Sequence, residues 1–248
     1  MILKYVMIRK IKNKVRRFEQ DSAGLQRLQE DQLALVQLHK MFADGVFLPL
    51  TSWSISPREV LHICNEIIIN DRKGIIEFGA GFSTICIAKL LQIAGKPTRF
   101  YSVESNAQWA AELSKILERM QLSNLVRIIV APLAKTPPEF SLAEQFWYDT
   151  NEIAGMLHAD AKFDLIIVDG PHGATCKFAR YPAIPFLKDR LADEYVIFLD
   201  DSSRAEEQKI ASEWQALLGA NLRDYNRYAV IGNAPSGFDP APFGFTRL

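Results

Sequence analysis

The sequence predicts an α/β fold, a doubly wound sheet of seven strands, mostly parallel with the last strand antiparallel, behind an N-terminal helical extension. Three observations lead there. From residue 57 onward, short apolar runs alternate with helix-patterned segments, as in a parallel sheet covered on both faces. The last two apolar runs, 227–232 and 243–248, are separated by about ten residues. That is too short for a parallel crossover, so the pair is expected to be antiparallel. The chain has 248 residues, 48% apolar and 23% charged. Those values suit one large globular domain with an extension and argue against a disordered or fibrous chain.

Residues 1–45 are expected to form the extension and 46–248 the main domain. In the extension Ile8, Ile11, Val15 and Phe18 recur at helical spacing, and Leu25, Leu28, Leu35 and Leu38 continue the pattern. Ser56-Pro57-Arg58-Glu59 has the form of a capping box with proline at the first helical position, so a helix over about 57–70 follows. KGIIEFG (73–79) reads as a buried strand, 83–94 as a helix and TRFYSVE (98–104) as the second strand. Ser105 and Gln108 form a second capping box, opening a helix to about 121. LVRIIVAP (125–132) is the third strand, 141–158 a helix and FDLIIVDG (163–170) the fourth strand. A helix over 177–191 precedes the fifth strand, EYVIFLDD (194–201). Ser203 and Glu206 cap a helix to about 218, and RYAVIG (227–232) and FGFTRL (243–248) close the sheet.

Charge is unevenly spread. Residues 1–17 hold seven Lys/Arg and no acid, leaving 22 basic against 29 acidic residues in the remainder. A body of that sign does not suit nucleic acid. The extension has two readings: a helix packed on the domain or on a second copy in a homodimer, or a basic amphipathic helix (residues 1–20) lying on a membrane surface. No run approaches the ~18 consecutive apolar residues of a spanning helix. The opening MILKYVMIRKIKNKVRR lacks the order of a secretory signal. Three cysteines (Cys64, Cys86, Cys176) without metal spacing fit reduced thiols. The expected location is cytoplasmic, at the inner face of a membrane if the second reading of the extension holds.

Ligands of such sheets bind beyond the C-terminal strand ends. The first strand ends in Glu77-Phe78-Gly79-Ala80-Gly81-Phe82-Ser83-Thr84, and Glu104 ends the second. Two glycines allow a tight turn and close backbone approach, and a carboxylate at Glu104 can accept both hydroxyls of a ribose. A dinucleotide pyrophosphate prefers G-x-G-x-x-G/A. Here the loop is G-A-G-F-S-T, with an acid two residues before its first glycine. That charge repels a diphosphate and attracts a cation such as the sulfonium and ammonium of S-adenosylmethionine. The competing reading is a structural turn in which Glu77 caps helix amides.

I-I-E-F-G-A-G-F-S-T, then Y-S-V-E, then D-L-I-I-V-D-G resemble the class I S-adenosylmethionine-dependent methyltransferases over roughly residues 50–248. The resemblance implies a Rossmann-like sheet of order 3-2-1-4-5-7-6 with strand seven reversed. It implies that Glu77, Gly79 and Gly81 line the methionine part, with Ser83 in place of the usual third glycine. Ser83 and Thr84 complete this loop. Glu104, followed by Ser105, holds the ribose. Thr51-Ser52-Trp53-Ser54 resembles segments that touch the cofactor carboxylate.

Strand four ends Asp169-Gly170-Pro171-His172, and strand five Asp200-Asp201-Ser202-Ser203-Arg204. Methyl transfer to a hydroxyl needs alignment and removal of its proton. Two routes fit. Asp169, Asp200 and Asp201 hold Mg²⁺, as in the metal-dependent small-molecule O-methyltransferases that this spacing resembles. Otherwise His172 is the base, oriented by Asp169. The plainer alternative has Asp169 and Asp201 capping helices and His172 in solvent. Arg180, Tyr181 and Arg204 are candidates for an anionic or sugar acceptor. The [D/N]-P-P-[Y/F] segment of base-methylating enzymes is absent. The expected activity is methyl transfer from S-adenosylmethionine to a small-molecule or glycan hydroxyl. The alternatives are an NAD(P)-linked oxidoreductase, which the Glu77 charge disfavours, and a non-catalytic protein that binds the cofactor or a membrane.

Overall fold

The computed structural model describes residues 2–43, 46–233 and 238–243, without the side chains of 2–13 and 15–21. Helix α1 (Ile2–His39) leads into α2 (Pro57–Ile69). There follow β1 (Gly74–Phe78), α3 (Phe82–Ala94), β2 (Arg99–Glu104), α4 (Ala107–Arg119) and β3 (Arg127–Val130). A hairpin of β4 (Leu133–Lys135) and β5 (Phe146–Tyr148) precedes α5 (Thr150–Met156) and β6 (Phe163–Val168). The chain continues through α6 (Ala183–Leu187), β7 (Leu191–Leu199), α7 (Ala205–Leu218), β8 (Asn221–Asp224) and β9 (Ala229–Gly232).

The seven-stranded sheet has the order β3-β2-β1-β6-β7-β9-β8. Its first five strands pair in parallel, and β9 runs antiparallel to both β7 and β8. Counted along the main sheet alone, this is the expected order with its seventh strand reversed. Alternate strand residues feed opposite cores. Ile75, Leu165, Ile167 and Phe198 pack on one face with α2, α3 and α4. Ile76, Phe78, Ile166, Ile197 and Leu199 pack on the other with α5, α6 and α7. Burial on both faces explains why these strands read as unbroken apolar runs.

Some of the expected elements need correction. Among the described residues the last two sheet strands are Asn221–Asp224 and Ala229–Gly232; the second is the strand expected over 227–232, and the one expected over 243–248 lies, after Phe243, outside the described residues. NLRD escaped notice because β8 is the sheet edge and most of it is exposed. The helix expected over 141–158 is the β4–β5 hairpin and one short helix, capped by Asp149 accepting from Asn151 N at 2.9 Å. Trp147 and Tyr148 are buried there, while Phe146 remains outside. The helix expected over 177–191 is reduced to Ala183–Leu187 and a 3₁₀ turn, between Pro182 and the early start of β7. Asn106, not Ser105, caps α4, and Arg204, not Ser203, precedes α7. Ser56 caps α2 as expected, accepting from Glu59 N.

Helix α1 docks through Ala34 and Leu38, and Glu30 meets Arg58 at 2.6 Å. Membrane contact through residues 1–20 falls on side chains outside the described ones, Lys14 excepted. Among the described residues no helix is long and apolar enough to cross a membrane.

Candidate active site

A cleft of about 570 Å³ opens at the C-terminal ends of β1, β2, β6 and β7. That volume lies in the ordinary range of ~300–1,000 Å³ for a small-molecule site. After β1 the chain turns through Gly79 at φ +101°, a conformation that favours glycine. A Cβ on Gly170 would meet the Gly79 backbone at 3.0 Å and collide with Tyr148 Oη. The two glycines therefore let the ends of β1 and β6 close on each other. A Cβ on Gly81 would meet nothing within 4 Å, and Gly81 lines the cleft. A ligand can come up to the backbone there.

Glu104 stands at the cleft edge, fixed by the loops around it. Its Oε1 accepts from Asn106 N at 2.7 Å and from Ser105 Oγ at 3.4 Å, and Oε2 accepts from Ala80 N at 3.3 Å. Trp109 Nε1 donates to Ala80 O at 2.7 Å and ties α4 to the glycine loop. A carboxylate offers about four lone-pair directions, so an acceptor site for ribose hydroxyls remains at Glu104.

Glu77 is different. It is fully buried and does not line the cleft. It accepts from Ser102 Oγ at 2.6 Å, from Thr84 Oγ1 at 2.5 Å and from Ser83 Oγ. Burial pushes its carboxyl up, against the lowering effect of the three hydroxyls. The expected meeting of Glu77 with a cationic ligand is therefore corrected: it anchors the start of α3 from below. Thr84 is buried with it, whereas Gly79, Gly81 and Ser83 line the cleft. The acid that does face the cleft on this side is Glu104.

On the other side oxygens of Asp169, Asp200 and Asp201 lie within 4.8 Å of one another. Arg180 enters this group. Its Nη2 lies 3.1 Å from both Asp169 Oδ1 and Asp201 Oδ2, and its Nη1 donates to Asp200 O at 2.8 Å. Arg227 Nε meets Asp200 Oδ1 at 3.2 Å, and Arg204 Nη1 meets Asp201 Oδ2 at 2.8 Å. Burial and the Asp200 charge push the Asp169 carboxyl up despite Arg180. At Asp200 burial is outweighed by the charge and hydrogen bond of Arg227, and the net direction is down. Each of the three acids is already paired with a guanidinium, and Arg180 Nη2 stands between Asp169 and Asp201 where a shared ion would sit. As arranged, the three acids do not fit Mg²⁺.

Beneath them Glu59 is fully buried, its carboxyl within hydrogen-bonding reach of the Asp200 carboxylate and of no N–H or hydroxyl donor. Burial first, then the Asp200 charge, pushes its carboxyl well above the usual range. A carboxyl raised on folding adds stability that is complete below its unfolded value of ~4.3 and is lost as pH rises through the folded value. Glu59→Gln should therefore raise the melting temperature at pH 8 more than at pH 5, by roughly 2–4 °C for each kcal/mol of buried charge removed. Calorimetry at the two values checks this; equal shifts at both would refute it.

His172 lines the cleft, its ring edge-on to Trp53 with centroids 4.7 Å apart. Asp169 does not orient it, because that carboxylate is held by Arg180. Instead His172 Nδ1 accepts from Ala174 N at 3.3 Å. Arg180 also departs from its expected part: it is buried among its own chain's acceptors and is not free to grip an acceptor. Tyr181 packs on the α5–α7 core and does not reach the cleft. Arg204 does, half exposed, as do Ser54 and Ser105. Sequence reasoning missed Arg227, Glu59 and Trp109. Ser56 and Asn106 mark where the helices carrying Glu59 and Trp109 begin, but nothing in the sequence aims Glu59 at Asp200 or Trp109 at the cleft.

A glycine turn after the central strand, an acid closing its neighbour and one cleft across the parallel strand ends, on a sheet of order 3-2-1-4-5-7-6, define a class I methyltransferase architecture. A family model described as a methyltransferase domain matches residues 76–202, just over half of the chain. The chain belongs to that family and is an S-adenosylmethionine-dependent methyltransferase. Among solved structures, the O-methyltransferase from Bacillus cereus in complex with SAH is similar at 16% identity and a TM-score of 0.53, over 82% of this chain and 90% of that one. The O-methyltransferase TomG from Streptomyces achromogenes, in complex with SAM, is similar at 14% identity and a TM-score of 0.52, over 82% and 88%. The SAH-bound methyltransferase PaMTH1 from Podospora anserina is similar at 13% identity and a TM-score of 0.53, over 83% and 86%. At these identities the likeness is one of fold. No curated protein matches the chain.

Proposed function

We propose that this methyltransferase acts on a hydroxyl of a small molecule or glycan, with Glu104 and the Gly79–Gly81 loop holding the donor and His172 receiving the acceptor proton. Bound S-adenosylmethionine supplies an electrophilic methyl group on a sulfonium. Glu104, pinned by Asn106 and Ala80 amides, presents an oxygen to the ribose. The open backbone at Gly81 admits the rest of the donor.

The observation that carries the acceptor side is the position of His172. It is an exposed imidazole on the cleft wall whose one internal bond, to Ala174 N, is long at 3.3 Å. The Asp169 carboxylate, by contrast, is committed to a buried ion pair. A bond of that length gives up about 0.5–1.5 kcal/mol at most, so the ring can exchange it for an acceptor hydroxyl. Trp53 provides a face for a ring or sugar, and the half-exposed Arg204 and Arg227 provide positive charge for an anionic acceptor. The solved O-methyltransferases of the same fold favour oxygen as the acceptor atom.

Calorimetry with S-adenosylmethionine, its demethylated product and NAD tests the donor side. The first two should bind and NAD should not; binding of NAD alone would return the oxidoreductase. Glu104→Ala should weaken donor binding by about 10–100-fold, the loss of one charge-assisted hydrogen bond. Transfer of an isotopic methyl group into metabolite and glycan extracts identifies the acceptor. We also propose that the basic stretch of residues 1–20 contacts an anionic membrane surface, with pairing of two copies through α1 as the competing use of that helix. Deleting residues 1–20 should abolish flotation with anionic vesicles, and unchanged flotation would remove the membrane.

A further inference from the structure

We propose that Arg180 is the resident cation of this active site, and that its guanidinium closes the Asp169–Asp200–Asp201 cluster to divalent metal. The inference rests on reading this cleft as the site of methyl transfer.

A guanidinium has five N–H groups and no acceptor. At Arg180 Nε donates to Pro171 O at 3.5 Å, Nη1 to Asp200 O at 2.8 Å, and Nη2 to Asp169 Oδ1 and Asp201 Oδ2, both at 3.1 Å. Four of the five are thus spent on the turn after β6 and the end of β7. The side chain is 4% exposed, so it cannot swing aside into solvent. A single nitrogen at equal distance from two carboxylates occupies the place a metal ion would take between them.

The remaining carboxylate is covered as well. Asp200 is gripped by Arg227, which also donates to Ser54 O at 3.3 Å, and Asp201 has Arg204 as a second partner. A metal ion would have to part each acid from a guanidinium, and Mg²⁺ loses its own waters reluctantly. The fork of Arg180 does by hydrogen bonds what a metal does by coordination: it joins the ends of two neighbouring strands at fixed separation. Unlike a metal, it leaves no open coordination position. An acceptor here needs no second oxygen beside the one methylated, since nothing chelates the pair. Acceptors with an isolated hydroxyl therefore fall within range of this site.

Manganese resonance on the full-length protein decides the matter without turnover. Titrated with wild-type protein at equimolar concentration, Mn²⁺ should keep the spectrum of the free ion. One bound equivalent, released by Asp201→Asn, would overturn the proposal. Arg180→Ala, checked for fold by circular dichroism, should acquire Mn²⁺ binding at Asp169 and Asp201, the two carboxylates that its guanidinium holds. A folded Arg180→Ala protein that binds none would show that the guanidinium is not what closes the cluster. If that variant fails to fold, the wild-type titration still decides. With an active acceptor extract, a chelator should change the rate by less than about twofold. Failure to bind S-adenosylmethionine in calorimetry would sink the reading of the cleft, and the Mn²⁺ result would still stand or fall separately.

Discussion

Replacement of His172 by alanine should lower the turnover of the acceptor by about 10²–10⁴-fold, the usual contribution of a positioned proton acceptor. Affinity for S-adenosylmethionine should stay within about twofold, because Glu104 and the glycine loop lie on the other side of the cleft and keep their own partners. The effect is a loss in the chemical step: the hydroxyl still enters beside Trp53 and Arg204, but its proton has no nearby base to receive it. His172 is exposed, and its single internal bond is the long one to Ala174 N, so the fold should be unchanged. Steady-state kinetics with parallel donor calorimetry separates the two quantities. Near-normal turnover in His172→Ala would move the proton to Asp169, whose carboxyl burial pushes upward.

Glu77→Ala should lower the melting temperature by about 6–12 °C. Ser83, Thr84 and Ser102 are buried, and all three hydroxyls donate to this carboxyl. Truncation leaves them without their acceptor, at about 1 kcal/mol or more each, so roughly 3 kcal/mol in total. A domain of this size shifts by about 2–4 °C per kcal/mol. Donor affinity should fall as well, since the same bonds hold the first turn of α3 against the cleft. Glu77→Gln keeps an acceptor and should cost much less. The carboxyl is pushed up by burial, so its contribution to stability is complete below the unfolded value of ~4.3 and declines as pH rises through the folded one. The Gln variant should flatten that decline. Equal melting temperatures for Glu77→Ala and wild type would show that the hydroxyl cluster carries no load.

Much of the fold was legible because it is written in local periodicity. The five parallel strands are apolar on both faces, so each appears as an apolar run too short for a helix and bounded by turn residues, and Ser56 announces α2 through its own side chain. Errors gathered where that signal is weak. β8 is an exposed edge with almost no apolar pattern, and the aromatics of 146–148 read equally well at helical spacing. Site residues at strand ends were also legible, because a doubly wound sheet sends every such end to one side. Gly79, Gly81, Glu104, Asp169, His172, Asp200 and Asp201 all reached the cleft.

Sequence alone determined the layering, the sheet order through its likeness to a known family, and which strand ends face the ligand, because these follow from alternation along the chain and from chain direction. Tertiary structure decided the electrostatics. Whether Glu77 looks into the cleft or into the core, whether a metal or Arg180 sits among the three acids, and that Arg227 comes to Asp200 from 27 residues away depend on side chains brought together across strands. Burial and pairing set the effective charge of each acid, and neither is visible until the sheet has closed.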